Sequence, residues 1–237
     1  DETFDDAAPW QQLDYPGALP STEPRPSFMY PAALIGITLS PGMSLADTAA
    51  QNGVMGRKAF LAHEKVLWTR FKLRVVPAKS DISPIGIGGS SAVVARCALP
   101  VGIGKVSGLI LYTILDDDNV PPLTPISTLG VLGAVIDLPG NEMHLTNCRG
   151  AKTEMSTVAT GHRQHSLVEF PDSGWKPPAS LAHHEWRVKP GERFVSLLDH
   201  PSSSESAISY MMSAGMTVSG VASSPPAFQL SEPSAST

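Results

Sequence analysis

Short apolar runs, broken every few residues by glycine or proline, set the rhythm of this chain. Ala33 to Leu39, Val93 to Leu99, Leu109 to Leu115, Val131 to Leu138 and Ser166 to Phe170 each have the length and apolar content of a strand and end at turn-forming residues. One stretch has a different period. From Arg57 to Phe71, the residues Phe60, Leu67 and Phe71 recur on one face at 3.6-residue spacing, which predicts a helix opened by the flexible Gly56. A second, shorter helix is predicted over Pro125 to Leu132. The pattern as a whole predicts an all-β fold with one or two short helices.

Pro84-Ile85-Gly86-Ile87-Gly88 nearly repeats as Pro100-Val101-Gly102-Ile103-Gly104, and glycine at this density suits hairpin tips. A dinucleotide-binding loop at Gly86-Ile87-Gly88 would have to follow a strand and open a helix; the residues after each copy are strand-like instead. The two ends lack either periodicity. Residues 1–27 mix acidic residues with Pro16, Pro20, Pro24 and Pro26 and read as a disordered arm. Residues 201–237, rich in Ser, Pro and Ala, read as a disordered tail. Between the last strand and this tail, 171–200 form a C-terminal extension whose Trp175 and Trp186 are candidates to pack it onto the domain.

Composition narrows the function. With 22 Pro and 20 Gly but only 16% charged residues, the chain favours short strands and loops over long helices. A net charge of -5, without a dense Lys/Arg cluster, argues against nucleic-acid binding. No apolar run approaches the roughly 20 residues that span a bilayer, so no membrane association is expected. Cys97 and Cys148 match neither a disulfide framework nor zinc-site spacing. They imply reduced thiols and an intracellular, cytoplasmic setting, with Cys97 a small buried hydrophobe. His162, His165, His183 and His184 lie in polar surroundings and read as surface histidines, with no metal site. Asp116-Asp117-Asp118-Asn119 lacks the alternation of a calcium loop and reads as a solvated turn.

The chemistry-bearing segment is Leu45-Ala46-Asp47-Thr48-Ala49-Ala50-Gln51, reached through Ile35 to Leu39, Pro41 and Gly42 and followed by Asn52-Gly53-Val54-Met55-Gly56. An acid at a strand end beside small residues lets a polypeptide backbone approach closely. The same residues also suit a plain turn closed by local hydrogen bonds.

This order of residues resembles the retropepsin family, the aspartic proteases of LTR retrotransposon and retroviral polyproteins. The resemblance rests on the apolar approach, the Asp-Thr-Gly-Ala-like run Asp47-Thr48-Ala49-Ala50, and Val54-Met55-Gly56. It extends to the glycine-rich Pro84 to Ser91, where the family has its flap, and to Leu123-Thr124-Pro125 with Leu129 and Leu132 to Leu138, which resemble its closing helix and strand. The tract from Gly161-His162-Arg163 to Val168-Glu169-Phe170 is similar to the segment C-terminal to the domain in some retrotransposon polyproteins.

The resemblance implies a domain over 28–170 with a closed barrel and a flap hairpin. It implies catalysis by Asp47, support of its loop by Thr48, Ala49 and Ala50, and substrate contacts from Ile85, Gly86, Ile87, Gly88 and Gly89. The partner would be a polypeptide substrate, and no cofactor is needed. A single aspartate cannot form the dyad. Asp172-Ser173-Gly174 is followed by Trp175-Lys176 and reads as a turn, so the second carboxylate is expected from Asp47 of a second copy in a homodimer. Ala49 stands where the family has glycine, which leaves a second implication open: a catalytically disabled fold serving as a dimerisation or peptide-binding module.

Overall fold

The computed structural model describes residues 37–79 and 92–199, and the backbone of 208–209 and 217–218. The expected arm over 1–27, the expected flap hairpin from Pro84 to Ser91 and the rest of the expected tail lie outside the described residues. The described part is mainly β, with two short α-helices and one open sheet.

The backbone of the sheet is a long hairpin, β4 (Val93–Ile103) and β5 (Val106–Leu115), joined by a turn at Gly104 and Lys105. Every residue from Cys97 to Ile103 is buried, so both faces of β4 are covered at that end. That explains a continuous apolar run in place of strict alternation. Leu99, Val101, Ile103, Ile110, Tyr112 and Ile114 form its centre. Each such side chain stabilises the fold by roughly 1.5–3 kcal/mol relative to exposure.

Around the hairpin, the described strands are β1 (Met43–Asp47), β2 (Gly53–Gly56), β3 (Val76–Lys79), β6 (Leu123–Pro125), β7 (Ala134–Asp137), β8 (Glu142–Leu145), β9 (Ala151–Thr157), β10 (Arg163–Ser166), β11 (Ile208–Ser209) and β12 (Thr217–Val218). Their order is β11-β3-β4-β5-β2-β6-β1-β10-β9-β8-β7, with β12 also on β5. One feature of this order positions the site. β1 and β2 are joined by only residues 48–52, yet they are not neighbours: β6 lies between them, parallel to β1 and antiparallel to β2. The loop that begins at Asp47 therefore crosses the end of a strand contributed by a distant part of the sequence.

Helix α1 (Arg57–Val66) continues as a π-helical turn over Leu67–Phe71, so the predicted helix has the expected span. Its buried face holds Phe60 and Leu67, as the period requires, but also His63 and Glu64. Gly56 opens it for a reason other than flexibility: its backbone is extended, and a Cβ there would collide with the Asp117 carbonyl oxygen. Helix α2 (Ile126–Leu132) ends at Gly133, whose left-handed φ of 61° lets its N–H return to the last turn.

Three strand expectations shift. Residues 37–39 of the run from Ala33 to Leu39 are not in a strand, and the first described strand begins at Met43. In Val131 to Leu138 the first two residues finish α2, because Gly133 breaks the run. Of Ser166 to Phe170 only Ser166 lies in a ladder; Val168 makes an isolated bridge to Gly102.

The segment 171–199 packs on the domain. Trp175 and Trp186 are buried against each other with ring centroids 5.3 Å apart, and the Trp175 indole N–H donates to the Gly108 carbonyl at 2.9 Å. Asp172-Ser173-Gly174 is a turn closed by Gly174 N–H to the Pro171 carbonyl, 2.8 Å.

Candidate functional site

Asp47 is the last residue of β1, beside Pro125 at the end of β6. Its Oδ1 accepts the backbone N–H groups of Ala49 at 2.8 Å and Ala50 at 3.2 Å. The carboxylate is thus aimed along its own loop and orders it, as the local-turn reading of the sequence requires. The side chain is half-buried, while Thr48 and Ala49 are exposed. Two further bonds fix the far side of the loop: Ile126 N–H donates to the Ala50 carbonyl at 2.8 Å, and the Ser127 hydroxyl donates to the Gln51 carbonyl at 3.0 Å.

Ala49 is not among the residues of positive φ, so this position does not demand glycine for backbone reasons within one chain. Its methyl belongs to an exposed surface. Ile85, Gly86, Ile87, Gly88 and Gly89 lie outside the described residues, so their position relative to Asp47 is not described.

Beneath the loop runs a buried polar ladder that the sequence did not reveal. Ser44 in β1 donates to the Pro122 carbonyl at 3.0 Å; Thr124 in β6 donates to Ser44 Oγ at 2.8 Å; His165 Nε2 in β10 lies 2.9 Å from Thr124 Oγ1. The other ring nitrogen, Nδ1, is 3.1 Å from the Ser166 carbonyl. Tyr112 lies beside Ser44 and Thr124, but its hydroxyl makes no well-aligned hydrogen bond; burial pushes its phenol up. Burial also lowers the His165 imidazole to about 4. His165 is therefore no surface histidine, unlike the exposed His183. The polar tract Arg163-Gln164-His165-Ser166 hides it, because only its pairing with β1 and β9 turns this one side chain inward. Alternation toward the apolar Leu167 was the available signal.

A second buried polar group ties the C-terminal extension to α1. Glu64 accepts the Ser196 hydroxyl at 2.6 Å and the Leu197 N–H at 2.9 Å. Burial raises its carboxyl, an effect these hydrogen bonds partly offset. His63, next to it, has no hydrogen-bond partner on either ring nitrogen, and burial lowers it to about 4. Cys97 and Cys148 are free thiols, and burial raises both.

Away from this site lies a groove of about 650 Å³ whose lining includes Lys105, Arg149, Lys152 and Lys176; it shares no lining residue with the Asp47 loop. Among the described residues no group of His, Cys, Asp or Glu is arranged to hold a metal ion, and no helix is long and apolar enough to cross a membrane. No protein-family model matches the chain, and no curated protein matches its sequence.

Proposed function

We propose that this chain is a retropepsin-like aspartic endopeptidase that works as a homodimer in the processing of a retroelement polyprotein. The observation that carries the reading is the placement of Asp47. It stands at the end of a strand whose loop is held by its own carboxylate, lies partly open to solvent, and is followed by an exposed hydroxyl residue, Thr48, and the small Ala49. A loop so placed is able to meet its twin across a twofold axis.

Two carboxylates about 3 Å apart cannot both ionise easily, so they share one proton. The ionised member takes a proton from water, which attacks the peptide carbonyl, while the protonated member donates to the carbonyl oxygen. Thr48 would bond across the axis and lock the two loops. The reading includes closure of the sheet into a barrel, and a flap from Pro84 to Ser91 whose Ile85 to Gly89 hold an extended peptide and exclude water. No cofactor takes part.

Ala49 favours a second reading. Its exposed methyl occupies the surface where substrate or the partner loop would pack, so the fold could persist as a dimerisation or peptide-binding module without turnover. One experiment separates the two: cleavage of an unbiased peptide library from acidic to neutral pH by the native chain, Asp47→Asn and Ala49→Gly. The protease reading expects acid-favoured cleavage that Asp47→Asn abolishes with folding intact. Silence of the native chain, with cleavage restored by Ala49→Gly, would establish the disabled module. Full activity in Asp47→Asn would remove Asp47 from the mechanism.

A further inference from the structure

We infer that His165 is a positioning residue for the Asp47 loop, acting through Thr124 and Ser44 to lock β6 against β1; its catalytic consequence rests on the proposed role of Asp47.

The supply of hydroxyl protons sets the direction of each bond. Ser44 donates to the Pro122 carbonyl, which can only accept, and Thr124 donates to Ser44 Oγ. At the other end the Ser166 carbonyl can also only accept, so a neutral His165, with one N–H, cannot donate both to it and to Thr124 Oγ1. The ladder thus links β10 through β6 to β1 between two carbonyls that only accept. Thr124 precedes Pro125, the residue registered beside Asp47, and Ser44 lies on the same short strand as Asp47. The ladder therefore fixes the relative height of the two strand ends from which the loop springs.

With the ring neutral, Ser44, Thr124 and His165 supply three hydrogens to four contacts, the last of them from Nδ1 to the Ser166 carbonyl at 3.1 Å. Protonation supplies the fourth hydrogen, so the ladder tightens just as the ring acquires a buried charge. Of the titratable groups near the ladder, Tyr112 in β5 stands beside Ser44 and Thr124, and Cys97 in β4 stands next to Tyr112. No neighbouring charge among the described residues contributes to the ionisation of His165. A ring that merely filled space would need neither partner.

The test is a titration that does not require peptidase activity. In Asp47→Asn, where the carboxylate's own ionisation is removed, the amide NMR signals of Ala49 and Ala50 are followed from pH 7 downward together with the His165 ring proton. The expected result is a step in both amides at the midpoint of the imidazole, and its loss when His165→Gln is added. Amides that show no step, or a step that survives His165→Gln, would overturn the inference.

For peptidase turnover, His165→Gln, which keeps a hydrogen-bonding partner toward Thr124, should stay within about threefold of the native kcat. His165→Leu and the shape-preserving Thr124→Val should each lower it by about tenfold or more with little change in KM. Native-like kcat in a folded Thr124→Val also overturns the inference, and this variant serves where His165→Leu does not fold. A native chain with no peptidase activity counts against Asp47 as catalyst, and the amide titration then decides the positioning role alone.

Discussion

His63 in α1 and His165 in β10 are both fully buried, and burial lowers both to about 4. Their surroundings differ in one respect. His165 has a partner at each ring nitrogen and joins three strands, whereas His63 has none. Desolvation alone thus accounts for the shared shift, while hydrogen bonding decides whether a buried ring organises its surroundings. At His63 the work of fixing α1 is done by its neighbours: Phe60 and Leu67 through packing, and Glu64 through its bonds to Ser196 and Leu197.

The largest expected effect tests what the two histidines share. Between pH 6.5 and about 4 the unfolded chain binds a proton at each ring that the folded chain refuses. Stability is therefore complete above the unfolded value of 6.5 and is lost as pH falls toward 4. Each ring contributes about 3 kcal/mol to this loss. Glu64 works in the opposite sense, since its raised carboxyl makes the folded chain the better proton binder in acid. Urea unfolding at pH 7 and pH 4.5 should show a net loss with acid, and His63→Leu or His165→Gln should each remove a similar part of it. A flat profile would contradict the burial of both rings. The same loss bounds the acid side of any peptidase activity.

The next effect separates the rings by sign. At pH 7, His63→Leu removes an unpartnered buried N–H and should stabilise by about 1 kcal/mol, whereas His165→Leu leaves Thr124 Oγ1 without its ring partner and should destabilise by about 2 kcal/mol. Denaturation midpoints moving in the same direction would erase the distinction.

Ser196→Ala sharpens the α1 side of the comparison. It removes a hydrogen bond to a buried carboxylate and should cost about 2 kcal/mol, with faster hydrogen exchange at Leu197. Unchanged exchange at Leu197 would detach the extension from Glu64. The smallest effect belongs to the Asp47 loop: Ala49→Gly should destabilise by less than about 1 kcal/mol, through unfolded-state entropy alone, because Ala49 holds no left-handed conformation. A larger loss would show that the methyl is packed within the chain.

Apolar runs and helical period were enough to determine the β-rich class, the span of the helix from Arg57 to Phe71 and the stretches Val93 to Leu99 and Leu109 to Leu115 of the longer strands β4 and β5, because burial on a given face is written in local spacing. Turn chemistry marked Asp116 to Asn119 and Asp172 to Gly174, and the small residues after Asp47 marked a loop that the carboxylate orders. The tertiary structure alone decided that β6 would enter between β1 and β2, that His165 would face Thr124 and Ser44, and that Glu64 would meet Ser196, 132 positions away. Strand register and long-range pairing depend on the whole sheet at once. A polar residue carries no local sign of which face it will occupy until its neighbours in space, not in sequence, are fixed.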